Sequence, residues 1–411
     1  LIFLGISAGG KAFPALLIPM DESQTDHLRA YGIAYTALQQ GRQVEWLLNY
    51  RGGSFLTGSG EGLRVECRLR GVQFEEADGG QIASIRAEMD GSNMESVVLE
   101  KAPSVAVYIP PTSEPWDDAV TLALTYSMIP YTEVWDEEVL AGRLAEFDWV
   151  HLHHEDFTGQ YGKFFGAYGQ SDWYKLRQQR FEEAARAAGF ATVSAHKGAV
   201  AVEIRNYVAR GGFLFAMCSA GETLDLALAS LGTDIVGVPY DGDPPEPGWE
   251  TGVDFSTSMA FEGAAIITDP MVYEFSDIDT SNLPIHGRRE LDFFDLFAFS
   301  AKEDPILSLL VQNHTRRVPN FMGQTTGFRR DRVKPGVAVL GDVPGSSEVK
   351  YIHGTLGKGT FTFLGGHDPE DYQHLVGDPP TELALHKHSP GYRLILNNIL
   401  FPAARRRERK T

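Results

Sequence analysis

A chain of 411 residues with 43% hydrophobic and 22% charged side chains has enough apolar surface to fold around its own cores, and the length predicts two or three of them. A formal net charge of −19 repels a phosphate backbone, so nucleic acid is not an expected partner. Two cysteines, Cys67 and Cys218, cannot form a disulfide scaffold, and no segment has about 20 uninterrupted apolar residues, so no transmembrane helix is expected.

Residues 1–15 open on a short apolar run and read as the remnant of a secretory signal peptide cleaved after Ala12 or Ala15, which predicts a periplasmic or secreted protein. Gly5 to Lys11 fits the phosphate-loop pattern GxxxxGK. The fit is formal only, because Ala12 stands where a hydroxyl should hold magnesium and Pro14 obstructs the helix that must follow.

Residues 16–100 read as an N-terminal α/β unit. Strand character over 16–20 and 44–48 brackets an amphipathic helix over 24–40, capped by Thr25 or Asp26 and ended by Gly41. A helix over 80–90 and a strand over 96–99 follow, the pattern of a doubly wound unit with parallel strands.

At residue 101 the rhythm restarts. Strands are expected over 104–109, 131–135, 147–153 and 213–217, with helices over 116–128, 136–145, 172–188, 197–209 and 222–230, an alternation that predicts a second, mostly parallel sheet with helices on both faces. Residues 231–334 break the pattern, being rich in Asp, Pro, Gly and Phe, and read as a β-rich insertion. Strands over 336–340, 350–353 and 359–364 and a helix over 390–400 complete the 101–411 domain. The basic run 405–410 reads as a solvated tail.

The apolar strand 213–217 delivers Cys218 into a turn of small residues, Ser219, Ala220 and Gly221, from which a helix starts. That is a nucleophile-elbow pattern, in which the side chain projects from the strand end and the helix N-terminus favours the thiolate. A buried cysteine filling the core gives the same local sequence. A second strand, 360–364, runs through Gly365 and Gly366 into His367, Asp368 and Glu370. A thiol needs a base and the base needs an acid, so His367 is the expected base and Glu370 or Asp368 the acid that orients it.

With those residues in view, the order of elements from about 101 to 370 resembles the class I glutamine amidotransferases of the flavodoxin-like superfamily, which keep a Gly-x-Cys-x-Gly elbow and a late His-Pro-Glu. Here the elbow reads Ala216-Met217-Cys218-Ser219-Ala220, and one residue is inserted in His367-Asp368-Pro369-Glu370. Phrases at 31–35, 48–54, 151–161 and 365–374 are similar to an exported bacterial family commonly labelled asparagine synthetase B. The N-terminal nucleophilic Cys and the pyrophosphate loop of that synthetase are both missing, so the label names a family and not a reaction.

Three further segments carry binding chemistry. His151 and His153 share one strand face and His154, Glu155 and Asp156 follow, a set suited to holding a substrate or a zinc ion; His153, His154 and Glu155 are taken as substrate-binding, with no metal or cofactor assigned. The amidotransferase fold expects an oxyanion-hole N–H from this loop, where the nearest glycine is Gly159. Arg51 beside Gly52 and Gly53 suits a carboxylate or phosphate. Trp116-Asp117-Asp118 fits a sugar or a hard cation, and equally a helix start. The expected function is a Cys-dependent, amidotransferase-like hydrolysis of an amide or acyl substrate of small size. A non-catalytic binding or scaffold protein and a His/carboxylate metal-dependent hydrolase are the alternatives.

Overall fold

The computed structural model describes residues 15–112 and 114–404. The apolar opening with its GxxxxGK pattern and the basic C-terminal run lie outside them. Among the described residues no helix is long and apolar enough to cross a membrane.

The architecture is α/β with two sheets. The first contains β1 (Ala15–Ile18), β2 (Val44–Leu48), β3 (Ser54–Gly58), β4 (Glu75–Ala77) and β5 (Glu95–Leu99) in the order β4-β1-β3-β2-β5. Every neighbouring pair is antiparallel, which corrects the expectation of a parallel, doubly wound N-terminal unit. The reason is local. Asn49, Arg51, Gly52 and Gly53 all adopt positive φ (61°, 45°, 77° and 88°) and fold the chain back within a few residues, whereas a parallel crossover needs a dozen or more. The strand after that turn, β3, is the element that sequence pattern alone merges into a loop.

The second sheet holds β6 (Val105–Tyr108), β7 (Thr132–Val134), β8 (Trp149–His153), β9 (Phe213–Met217), β10 (Phe293–Leu296), β11 (Arg317–Pro319), β12 (Phe328–Arg329), β13 (Ala338–Asp342), β14 (Glu348–Leu356) and β15 (Gly359–Leu364). Its order is β11-β10-β13-β14-β15-β9-β8-β6-β7, with β12 on β14. The five strands β7-β6-β8-β9-β15 are mutually parallel, and the rest pair antiparallel. The 231–334 segment therefore extends this sheet through β10, β11 and β12.

Alternation along β9 assigns the two faces. Phe215 and Met217 join a core with the helices His27–Gln39, Ala119–Ser127 and Pro390–Leu400, while Leu214 and Ala216 join a core with the helices Asp172–Ala187, Val193–Arg210 and Ser219–Ala229. The first of these cores also takes in Leu16, Trp46 and Phe55 of the smaller sheet.

One buried ion pair holds the antiparallel edge. His286 Nδ1 lies 2.8 Å from Asp292 Oδ2 and its Nε2 lies 3.0 Å from Glu348 Oε2 at the start of β14. Burial works to lower the imidazole, but the hydrogen bonds and charges of Asp292 and Glu348 outweigh it and raise the pKa to about 9. A folded value above the unfolded one means that the stabilisation is complete below pH ~6.5 and is lost as pH rises through about 9. Urea denaturation of the parent and His286→Gln at several pH values should show the parent's advantage shrinking across that window. A constant difference would remove the imidazolium from the account.

Candidate active site at the C-terminal edge of the parallel strands

Strand register puts the site together. His153 pairs with Met217, and Met217 pairs with Leu364, so His154, Cys218 and Gly365 leave the sheet side by side at one edge. This is the edge where open α/β sheets collect ligands. The Cys218 N–H still donates to Leu364 O at 3.2 Å. Its own backbone then turns at φ 56°, ψ −137° before the helix Ser219–Ala229 begins. A non-glycine residue in that region is strained and has to be held there by its surroundings. The small residues after it permit the turn: a Cβ on Gly221 would sit 2.9 Å from the Phe363 ring on the neighbouring strand.

The imidazole at the thiol is His154, whose Nδ1 lies 3.2 Å from Cys218 Sγ. His154 has φ 49°, a second strained residue facing the first across two adjacent strands. His367, the expected base, stands behind it with ring centroids 5.2 Å apart. Its Nδ1 meets His153 Nε2 at 3.0 Å and its Nε2 meets Asp117 O at 3.0 Å, so both ring nitrogens are engaged away from sulfur. Trp116 and Phe164 flank the His154 ring at 4.9 and 5.7 Å.

Neither expected acid reaches His367. Glu370 pairs with His386 Nδ1 at 2.9 Å. Asp368 accepts the Glu370 N–H at 2.8 Å and the Tyr392 hydroxyl at 2.8 Å. Both carboxylates are committed as loop and helix anchors. Arg51 is likewise committed elsewhere, to Asp21 at 2.6 Å and Glu75 at 2.9 Å, residues outside the Cys218 cluster. Glu155 is buried 3.8 Å from Arg177, and burial pushes its carboxyl up to about 8 against the pull of Arg177 and Lys197. Gly159 is packed on the Ser194 backbone. Of the residues expected to act, the structure brings together Cys218, His153, His154 and His367.

Electrostatics differ from the expected thiolate. Cys218 is 0% exposed, and burial pushes its thiol up to about 11 although the backbone N–H groups of Thr325, Ser219 and Gln324 pull the other way. Burial first, with the Arg177 guanidinium adding to it, holds His154 well below the usual imidazole range. The resting pair is thus a neutral thiol beside a neutral imidazole. The benefit of one helix N-terminus is smaller than the cost of desolvating an anion.

The cover comes from the 231–334 segment. A Cβ on Gly323 would stand 2.9 Å from Cys218 Sγ and 2.8 Å from His367 N. Met322 O accepts the His367 N–H at 2.9 Å, and Thr325 O accepts the Gly366 N–H at 2.8 Å. One turn after Cys218, Glu222 accepts the hydroxyls of Ser276 and Thr325, each at 2.6 Å. Burial, followed by the charge of Asp279, raises its pKa to about 8. Sequence pattern does not single out Gly323, Thr325 or Glu222. Only Glu222 carries a local signal, its place four residues beyond the elbow cysteine on the same helix face.

No protein-family model matches the sequence, and no curated protein matches it. Among solved structures, Cytoplasmic Protein STM3548 from Salmonella typhimurium is similar at 10% identity and TM-score 0.33, over 74% of this chain and 100% of its own. Cytoplasmic Protein STM1381 from Salmonella typhimurium LT2 is similar at 11% identity and TM-score 0.34, over 73% and 99%. The GH42 beta-galactosidase Gan42B is similar at 11% identity and TM-score 0.28, over 65% of this chain and 28% of its own. Similarity at this level identifies neither a reaction nor a ligand for this chain.

Proposed function

We propose that the protein is a Cys-dependent hydrolase of an amide or related acyl group, with Cys218 as nucleophile and His154 as its base. The observation that carries this reading is the strained Cys218 turn with His154 Nδ1 at 3.2 Å from Sγ. In the reaction the thiol proton passes to His154 Nδ1 as sulfur attacks the carbonyl carbon. The proton then goes to the departing amine, leaving a thioester. Water, deprotonated by the same imidazole, releases the acid and restores the thiol. His367 and His153 act as positioning residues behind His154.

Two further points support the amidotransferase-like form of the reading. The parallel strands, numbered by chain order, run 2-1-3-4-5, the flavodoxin-like order. The order of elements from about 101 to 370, which resembles the class I glutamine amidotransferases, points the same way. Incubation of the protein with glutamine, other primary amides and activated esters, followed by acid quench and peptide mass mapping, should reveal an acyl adduct on Cys218. If no substrate in the panel leaves an adduct or is turned over, the reading fails. The complete burial of Cys218 favours a second reading in that event, a binding protein that keeps the fold and uses no nucleophile. An exported location belongs to the same proposal and rests on the apolar character of residues 1–15. Intact-mass measurement on protein from its native host should find a chain starting near Leu16, and retention of residues 1–15 would withdraw it.

A further inference from the structure

Beside the thiol lies a second cluster with different chemistry. His151 and His153, two apart on β8, point from the sheet toward the helix Ala119–Ser127, whose N-cap is Asp118. Asp118 Oδ1 lies 3.2 Å from His153 Nδ1 and 3.5 Å from His151 Nε2. The three donor atoms fall within 4.8 Å of one another.

Hydrogen-bond partners decide which nitrogens carry protons. His367 Nε2 faces Asp117 O at 3.0 Å, and a carbonyl only accepts, so Nε2 carries the proton and Nδ1 of the uncharged ring is bare. His153 Nε2 faces that bare nitrogen at 3.0 Å and donates to it, so a ring with a single proton has its Nδ1 lone pair toward Asp118. His151 Nδ1 faces Phe215 O at 3.1 Å and donates to it, which leaves His151 Nε2 bare. With each ring carrying one proton, two nitrogen lone pairs and a carboxylate oxygen converge, the donor set a cation takes. Among the described residues neither His151 Nε2 nor His153 Nδ1 has a hydrogen-bond partner, although both atoms are buried. A single extra proton would join only two of the three groups.

From these observations we propose that Asp118, His151 and His153 form a binding site for a divalent transition-metal ion, zinc before others. A tetrahedral ion with ligands at about 2.0–2.1 Å sets its donors about 3.3–3.4 Å apart, and the observed 3.2 and 3.5 Å bracket that edge. Two imidazoles and a carboxylate suit zinc in preference to calcium or magnesium. The other nitrogen of each histidine donates to a carbonyl or a further imidazole, the outer-shell arrangement that orients metal-binding histidines. The side chains of His151 and His153 are 0% and 2% exposed and that of Asp118 is 20% exposed, so an ion reaches the cluster past Asp118. Asp118 Oδ1 also accepts the N–H groups of Val120 at 2.7 Å and Thr121 at 3.0 Å, which fix the carboxylate as the helix cap.

The test uses the full chain stripped with a chelator and titrated with Co²⁺ and Zn²⁺ in equilibrium dialysis, with the visible spectrum of the cobalt form recorded. One ion per chain and a tetrahedral cobalt band are expected. Asp118→Asn keeps a good helix cap but loses the charged ligand, and His153→Gln loses a nitrogen. Each should weaken binding at least about tenfold, with folding confirmed by circular dichroism, and Cys218→Ala should bind as the parent does. The readout is binding, so it stands whether or not the Cys218 reaction exists. Absence of stoichiometric binding by the folded parent would overturn the site. So would unchanged affinity in both ligand variants, or a thiolate-to-cobalt absorption that disappears in Cys218→Ala, which would locate the ion at Cys218.

Discussion

Cys218→Ala is expected to abolish amide or ester turnover, by a factor of about 10⁴ or more, and His154→Ala to reduce it by about 10²–10⁴. The double variant should be scarcely worse than Cys218→Ala, because a nucleophile and its base act as one unit. The assignment turns on His367→Ala. His367 meets His153 and the Asp117 carbonyl and not the thiol, so its loss should act through the placement of His154 and cost less than loss of His154 itself. Steady-state kinetics on the parent and the four variants decide it. Should His367→Ala match Cys218→Ala while His154→Ala retains most activity, His154 is a neighbour and not the base. Thermal unfolding should shift little in Cys218→Ala, where one sulfur atom leaves a small space.

The legible part of the site came from strand ends. The apolar runs ending at Met217 and Leu364 identify two buried parallel strands, and whatever follows them must sit at the same edge, which places Cys218 and His367 together. The choice of base was not legible. Alternation put His154 on the face opposite His153, but His154 lies beyond the last strand residue, and its positive φ swings the ring toward the thiol. A period-two pattern carries no information about a residue that has left the strand. The acids failed for a related reason: nearness in sequence singles out Asp368 and Glu370, and their partners Tyr392 and His386 lie on a segment about one helix further on.

The 231–334 segment is not β-rich as expected, holding only the short strands β10, β11 and β12; its aromatic residues mark it as packed, but nothing in it announces Gly323 over the sulfur. That contact joins positions more than a hundred residues apart through the fold of the sheet edge. The N-terminal sheet shows the opposite failure. Its signal is local and is that of a turn, since Gly52 and Gly53 are the hinge of a β2–β3 hairpin, and Arg51 beside them is taken by Asp21 and Glu75. A glycine pair next to an arginine is a turn before it is a ligand clamp. The parallel half of the larger sheet was the most predictable part, because strands buried on both faces leave continuous apolar runs.

Lys197→Met is expected to destabilise the fold by about 3–5 kcal/mol, the range found when one partner of a buried ion pair is removed. Lys197 is 0% exposed. Its Nζ lies 2.9 Å from Asp136 Oδ2 and 2.7 Å from the Tyr108 hydroxyl, which itself donates to Asp136. The rings of Phe181, Trp135 and Tyr108 surround the ammonium at 4.5, 5.1 and 5.2 Å. Cation–π attraction to such rings is worth about 0.5–2 kcal/mol, so its loss alone falls short of the expected effect. Most of the cost comes from the Asp136 carboxylate, left without its cation inside an aromatic shell. Methionine preserves most of the volume, which keeps a packing defect from mimicking the result. The double variant Lys197→Met, Asp136→Leu removes both charges and should recover much of the loss, so the pair should show strong coupling in a double-mutant cycle. Asp136 also sits in the first turn of the helix Asp136–Leu140, where a carboxylate contributes up to about 1 kcal/mol; recovery should therefore be incomplete. Reversible urea denaturation measures the cycle. If Lys197→Met lies within about 1 kcal/mol of the parent and the double variant is no more stable than the single, the ion pair does not hold helix Val193–Arg210 against β6.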